Sequence, residues 1–83
     1  MRPFYKPFDT LVKIYDNEGL YYYMKHHKRK CINILISYSN YCETLFKNSQ
    51  LGSNFNYNFI KQLLSTKDEA NIIIVLELLR NIK

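Results

Sequence analysis

The chain has 83 residues, of which 47% are hydrophobic and 23% are charged, and its formal net charge is +5. This length allows one domain with a modest core, and the composition is that of a globular chain and excludes a disordered one. Asn, Ile and Lys are frequent while Ala, Gly and Arg are scarce. That skew is typical of an A/T-rich genome such as that of a virus, a phage or an intracellular parasite.

The N-terminal segment, residues 1–9, contains two prolines, which interrupt both helix and sheet. It predicts an extended arm whose aromatic side chains dock on the domain or on a partner. These aromatic residues are Phe4, Tyr5 and Phe8. A single compact domain is expected to follow, spanning residues 10–83.

The next segment, Thr10 to Met24, predicts a β-hairpin. It begins with an apolar, largely β-branched run, and residues 20–24 are rich in Tyr, a strong strand former. Between these two runs, residues 16–19 have the composition of a turn, and Gly19 can adopt a positive φ. A helix from Phe8 to Tyr15 is the alternative.

A strongly basic run follows, since residues 25–30 hold four fixed positive charges and two imidazoles. It predicts contacts to the phosphates of a nucleic acid or to an acidic partner surface. The tyrosines just before it can stack on unpaired bases. The alternative is a solvated basic loop or helix start. The predicted nucleic-acid-binding residues are Tyr21, Tyr22, Tyr23, Lys25, His26, His27, Lys28, Arg29 and Lys30.

The rest of the chain predicts three helices. Residues 30–47 carry apolar side chains at spacings of three and four, the period of a helix with one buried face. This stripe consists of Cys31, Leu35, Tyr38, Cys42 and Leu45. Gly52 is expected to close that helix or the turn after it. A shorter helix is predicted over residues 53–64, with Ser53 or Asn54 as its cap.

The third predicted helix opens at Thr66, where Thr66 and Glu69 match a capping box. Its inward stripe is Ile72, Val75, Leu76, Leu79 and Ile82. Further apolar residues surround most of the helix, so we expect either a central core helix or one covered by a protein partner or a second copy of the chain. These additional residues, which we predict to bind a partner together with the N-terminal aromatic side chains, are Ile73, Ile74 and Leu78.

The sequence lacks a recognisable catalytic or metal-binding motif, and its two glycines cannot form a phosphate-binding loop. We therefore predict a non-enzymatic protein with no cofactor and no metal. Cys31 and Cys42 are eleven residues apart, about 16 Å along one helix, too far for a disulfide. Two free thiols, no signal peptide and no apolar run of membrane-spanning length predict a cytoplasmic, reducing setting.

Residues 34–46 combine an apolar pair, a serine, an aromatic residue and a Leu-Phe pair, and a Val-Leu-Glu-Leu-Leu run follows at residues 75–79. This pattern resembles the helix-pair segment and a later helix of BTB/POZ domains and their Skp1-like relatives. The resemblance covers about a third of the chain. It implies a short hairpin before the helix pair and the role of a protein-binding adaptor.

The predicted fold class is α+β, an N-terminal β-hairpin followed by three α-helices, with an all-α fold as the alternative. The predicted function is that of a small basic RNA-binding protein or a component of a ribonucleoprotein, such as a ribosomal protein. The alternative is a protein-interaction module, either a BTB/Skp1-like adaptor or a viral or phage inhibitor of a host protein. The expected partners are thus RNA or a ribonucleoprotein assembly, or else a protein partner, and no membrane.

Overall fold

A computed structural model describes residues 2–47 and 55–82 of the chain. Four helices follow one another: α1 spans Lys6–Glu18, α2 spans Tyr21–Lys47, α3 spans Tyr57–Ser65 and α4 spans Glu69–Arg80. The part of the chain described here contains no β-strand. The predicted α+β fold with an N-terminal hairpin is therefore wrong, and the all-α alternative agrees with the structure.

The segment predicted as the first hairpin strand lies in α1. Pro7 stands in the first turn, where a missing backbone N–H costs no helical hydrogen bond. Leu11 and Val12 are both buried, together with Phe8. Adjacent side chains of a strand point to opposite faces, whereas residues at spacings of three and four share one helix face. Burial on one face therefore outweighs the β-propensity of the run.

Of the turn predicted over residues 16–19, residues 16–18 belong to α1. The chain changes direction only at Gly19, between two helices. Gly19 has a φ of 77°, and its N–H donates to the Tyr15 carbonyl at 3.0 Å. Glycine adopts a positive φ without the steric conflict that a Cβ would introduce, so it can end the helix here. Leu20 and Met24 are one helical turn apart, and both are buried. A helical conformation of the Tyr-rich segment places both side chains on the face that packs against the core.

Helix α2 includes the helix predicted over residues 30–47 and begins earlier than predicted. The predicted stripe is confirmed at Cys31, Leu35, Tyr38 and Cys42, which are all fully buried. Leu45 was also assigned to it but is partly exposed. The two cysteines are free thiols, as predicted.

The C-terminal helices differ from the prediction at their starts. The Asn56 side chain caps α3 by accepting from the Phe59 N–H at 2.9 Å. The caps predicted at Ser53 or Asn54 and the turn at Gly52 lie outside the described residues. At α4, Asp68 is the cap and accepts from the Ala70 N–H at 2.8 Å, so the predicted Thr66 capping box is wrong.

Helices α2, α3 and α4 pack on one another around the core, and α1 packs against α2. The inward stripe predicted on α4 is confirmed at Ile72, Val75, Leu76 and Leu79, while Ile82 is partly buried. No helix in the described part of the chain has the length and the apolarity to cross a membrane.

Candidate nucleic-acid interface

The Tyr-rich and basic residues predicted to bind nucleic acid all lie on the first part of α2. A helix turns about 100° per residue, so these side chains are distributed around it rather than collected on one face. Tyr21 and Tyr22 are exposed, with 70% of the Tyr22 surface accessible, whereas Tyr23 is partly buried against the core. Two of the three tyrosines therefore remain available to a ligand.

A kink at His27 divides α2 into two segments, since this residue has a φ of −134° and a ψ of 29°. The sequence has neither proline nor glycine there. Positive side chains at spacings of three and four, such as Lys25 with Lys28 and with Arg29, repel one another and weaken a regular helix at this point. The Tyr23 and His27 rings lie 4.6 Å apart across the kink.

The four fixed cations of the basic run have different environments. The Lys28 ammonium lies 3.8 Å from the Glu69 carboxylate, an ion pair that joins α2 to the start of α4. The Lys25 ammonium lies 5.8 Å from the centre of the Tyr22 ring. Among the described residues, no carboxylate forms an ion pair with Lys25, Arg29 or Lys30. These three exposed cations are thus free to contact an anionic ligand.

A shallow groove of about 340 Å³, largely open to solvent, lies beside Arg29 and Lys30. One side is formed by Tyr5 and Pro7, at the start of α1, and the other by successive turns of α2. The α2 residues that line it are Arg29, Lys30, Asn33, Ile34 and Ser37. Sequence reasoning did not identify Asn33 or Ser37 as site residues, because nothing in the sequence shows that the start of α1 lies against this part of α2.

The three N-terminal aromatic residues predicted to bind a partner have different positions. Phe8 is fully buried, so it docks on the domain, which is one of the two positions predicted for these aromatic side chains, and it is not exposed to a partner. Tyr5 is partly buried, with its ring stacked on Tyr38 at 5.6 Å and tilted against Tyr41 at 6.2 Å. Phe4 is 73% exposed and is the member of the three that remains open to solvent.

The residues predicted for partner binding on α4 form a small exposed pair. Ile74 and Leu78 are 46% and 45% exposed and lie one helical turn apart. Ile73 is partly buried against the core. The outer face of α4 therefore presents two adjacent apolar side chains and not a continuous apolar surface.

The buried polar groups near the groove favour a structural role. Burial raises the pKa of the Cys31 thiol to about 11 and also raises the pKa of Cys42. Burial likewise raises the pKa of Tyr38 to about 12. A thiol that stays protonated is a poor nucleophile. Within residues 2–47 and 55–82, no group of three or more His, Cys, Asp or Glu side chains could hold a metal ion.

No family model, curated protein or solved structure matches the chain. The resemblance to BTB/POZ domains gains no support from these comparisons, and the hairpin that it implies is not found in the described residues.

Proposed function

We propose that the chain binds RNA through the first part of α2, as a non-enzymatic component of a ribonucleoprotein assembly. The proposal depends on three cations that form no ion pair within residues 2–47 and 55–82, together with exposed rings on the same helix. The cations are Lys25, Arg29 and Lys30, and the rings are those of Tyr21 and Tyr22. Cations contact phosphates, and exposed aromatic rings stack on unpaired bases with little dependence on sequence.

The distribution of charge supports this proposal. Residues 1–30 carry seven basic and three acidic side chains, which accounts for most of the net charge of +5. A local excess of positive charge attracts a polyanion over a distance of about 10 Å at moderate salt. Three phosphate contacts give modest affinity, so the first part of α2 is one contact point within a larger assembly.

The test is a titration of a fluorescent single-stranded RNA at several salt concentrations between about 50 and 200 mM. We expect the logarithm of the affinity to fall linearly with the logarithm of salt, with a slope of about −0.7 per phosphate contacted. Replacing Lys25, Arg29 and Lys30 with Ser should weaken binding at least about tenfold at low salt and remove about two units of that slope.

A matched control removes the same charge elsewhere. Lys13, Lys47 and Lys61 are also exposed, and their replacement with Ser lowers the net charge equally without touching the first part of α2. An equal loss of affinity in both triple variants would show that only the overall charge matters and would contradict the proposed site. Absence of RNA binding by the wild-type chain at about 50 mM salt would contradict the function itself.

A second candidate function is the binding of a protein partner, or self-association, through Ile74 and Leu78. The observation that favours it is the exposure of two large apolar side chains one turn apart on α4. Light scattering after size-exclusion chromatography tests self-association. A dimer that becomes monomeric when both residues are changed to Ser supports this candidate, and a wild-type monomer excludes self-association.

A further inference from the structure

The groove between the start of α1 and the middle of α2 differs chemically from one end to the other. Arg29 and Lys30 lie at its basic end. Asn33 and Ser37 follow on the next turns, and Tyr5 lies opposite them. Tyr41 does not line the groove, but it lies one turn beyond Ser37, is partly exposed and contacts the ring of Tyr5. Aromatic rings therefore lie beyond the polar side chains, away from the cations.

This order of groups matches that of a nucleotide. Guanidinium and ammonium groups bind a phosphate, and the amide of Asn33 can both donate to and accept from the edge of a base. An aromatic ring supplies the apolar surface against which a base packs. The side chains of Asn33 and Ser37 are exposed, and no hydrogen bond occupies either of them among the described residues.

The size of the groove favours an unpaired nucleotide. Its volume of about 340 Å³ is near the lower limit of small-molecule sites, which have about 300 to 1,000 Å³. Domains that recognise double-stranded RNA by shape contact about 16 base pairs. The six residues of the basic run extend only about 9 Å along a helix. We propose, resting on the RNA binding proposed above, that this groove holds one unpaired nucleotide, with its phosphate at Arg29 and Lys30 and its base beside Tyr5 and Asn33.

The experiment compares two RNA probes and a variant that fills the groove. The probes are a fluorescein-labelled oligouridylate of about 12 nucleotides and a blunt-ended RNA duplex of about 16 base pairs. Ser37→Leu places a large side chain in the groove without adding an aromatic ring on which a base could stack, and it leaves every cation in place. Gln62→Leu, at an exposed position of α3 outside the groove lining, is the matched control. Circular dichroism verifies that both variants keep the helical content and the unfolding temperature of the wild type.

We expect Ser37→Leu to lower the affinity for the oligouridylate at least about tenfold, which corresponds to the loss of one stacked base, and to leave the salt slope unchanged. Affinity for the duplex should stay the same, and Gln62→Leu should bind both probes like the wild type. If Ser37→Leu fails to fold, Asn33→Ala serves as the second variant, because it removes the amide from an exposed position. It should weaken oligouridylate binding selectively.

The outcomes separate this inference from the proposed function. Absence of binding to either probe by the wild type overturns both. Equal binding of the oligouridylate by the wild type and the groove variant overturns the nucleotide site alone, as does a wild type that binds the duplex as tightly as the oligouridylate. Titration with uridine monophosphate distinguishes RNA from a free nucleotide. Tighter binding of the monomer than of the oligomer would overturn RNA as the occupant.

Discussion

The ring of Phe8 lies on the ring of Tyr38, with centroids 4.3 Å apart and planes 11° from parallel. Both side chains are fully buried, and this stack attaches α1 to the middle of α2. The ring of Tyr5 also stacks on that of Tyr38, at 5.6 Å. The Tyr38 hydroxyl donates to the Pro3 carbonyl at 2.6 Å. Tyr38 thereby positions the N-terminal segment, which forms one side of the groove.

Phe8→Ala tests this attachment. Truncating a buried Phe removes its burial and its stacking and leaves a cavity, which costs about 3 to 5 kcal/mol of the free energy of unfolding. Small domains have about 5 to 15 kcal/mol in total, so we expect a large fall in the urea midpoint. Phe4→Ala is the control, because Phe4 is mostly exposed and its loss should have little effect. Equal effects of the two variants would contradict the assigned core position of Phe8.

The hydroxyl of Tyr38 can be tested separately from its ring. Tyr38→Phe keeps both stacked contacts and removes the hydroxyl, with its hydrogen bond to Pro3 and its contacts with Arg2 and Cys42. We expect a loss of about 1 kcal/mol in the free energy of unfolding, the usual net contribution of such a bond. Tyr22→Phe removes an exposed hydroxyl and should change stability far less. A Tyr38→Phe protein as stable as the wild type would show that water replaces this bond at no cost.

A helix could be predicted where the spacing of its buried apolar residues is visible within one continuous segment of the sequence. From Cys31 to Cys42 the apolar residues repeat at spacings of four, three and four, and the structure buries all of them. The same signal exists earlier, since Leu20 and Met24 are spaced by four and Met24 lies seven residues before Cys31. Three consecutive tyrosines and a β-branched run favoured the prediction of strands instead. Their intrinsic preference for strands is weaker than the free energy gained when one face of a helix is buried.

The candidate site was predicted only where it is continuous in sequence. Arg29 and Lys30 belong to a run that is visible in the sequence, and the structure places them on an exposed helix. The groove beside them is lined by both Tyr5 and Asn33, which are 28 positions apart in the sequence. Their proximity depends on the packing of α1 against α2. The predicted hairpin contained neither the whole of α1 nor this packing.

Alkaline pH should unfold the protein through its buried thiols and phenol. Cys31 has an ordinary pKa of 9.0, which burial raises to about 11. Its contribution to stability is complete below its unfolded-state pKa and is lost as the pH rises through its folded-state pKa. Tyr38 acts in the same direction at higher pH. We expect Cys31 alone to lower the free energy of unfolding between pH 9 and 11, by about 1.4 kcal/mol per pH unit.

Cys31→Ala is the variant that checks this pH dependence. It should be less stable than the wild type at neutral pH because it leaves a small cavity, but its stability should fall less steeply between pH 9 and 11. Urea unfolding followed by circular dichroism at several pH values gives both quantities. Parallel pH profiles for the two proteins would show that the Cys31 thiol does not contribute.

Asp16 and Arg80 make a two-point ion pair between the ends of α1 and α4, with nitrogen–oxygen distances of 2.8 and 3.0 Å. This hydrogen bonding to Arg80 lowers the pKa of the Asp16 carboxyl. A lowered folded-state pKa adds stability above the unfolded-state pKa, and this stability is lost as the pH falls through the folded-state pKa. Asp16→Asn should therefore be less stable than the wild type at neutral pH, and the difference should shrink in acid and in high salt.

Glu18→Gln is the matched control for Asp16→Asn. Glu18 is exposed near the end of the same helix and makes no ion pair within the described part of the chain. Its replacement should not change the acid dependence of stability. The same acid dependence in Asp16→Asn as in the wild type would contradict the role of the pair with Arg80.

Lys67 connects α3 to α4 with a φ of 58°, a left-handed conformation that most side chains disfavour. Lys67→Gly removes the steric conflict with Cβ, although glycine loses more backbone entropy on folding. We expect a net gain of about 0.5 kcal/mol in the free energy of unfolding. Lys61→Gly is the control and should have the opposite effect. Lys61 lies inside α3, where glycine lowers the free energy of unfolding by about 1 kcal/mol. Urea unfolding that finds both variants destabilised alike would contradict the left-handed backbone at Lys67.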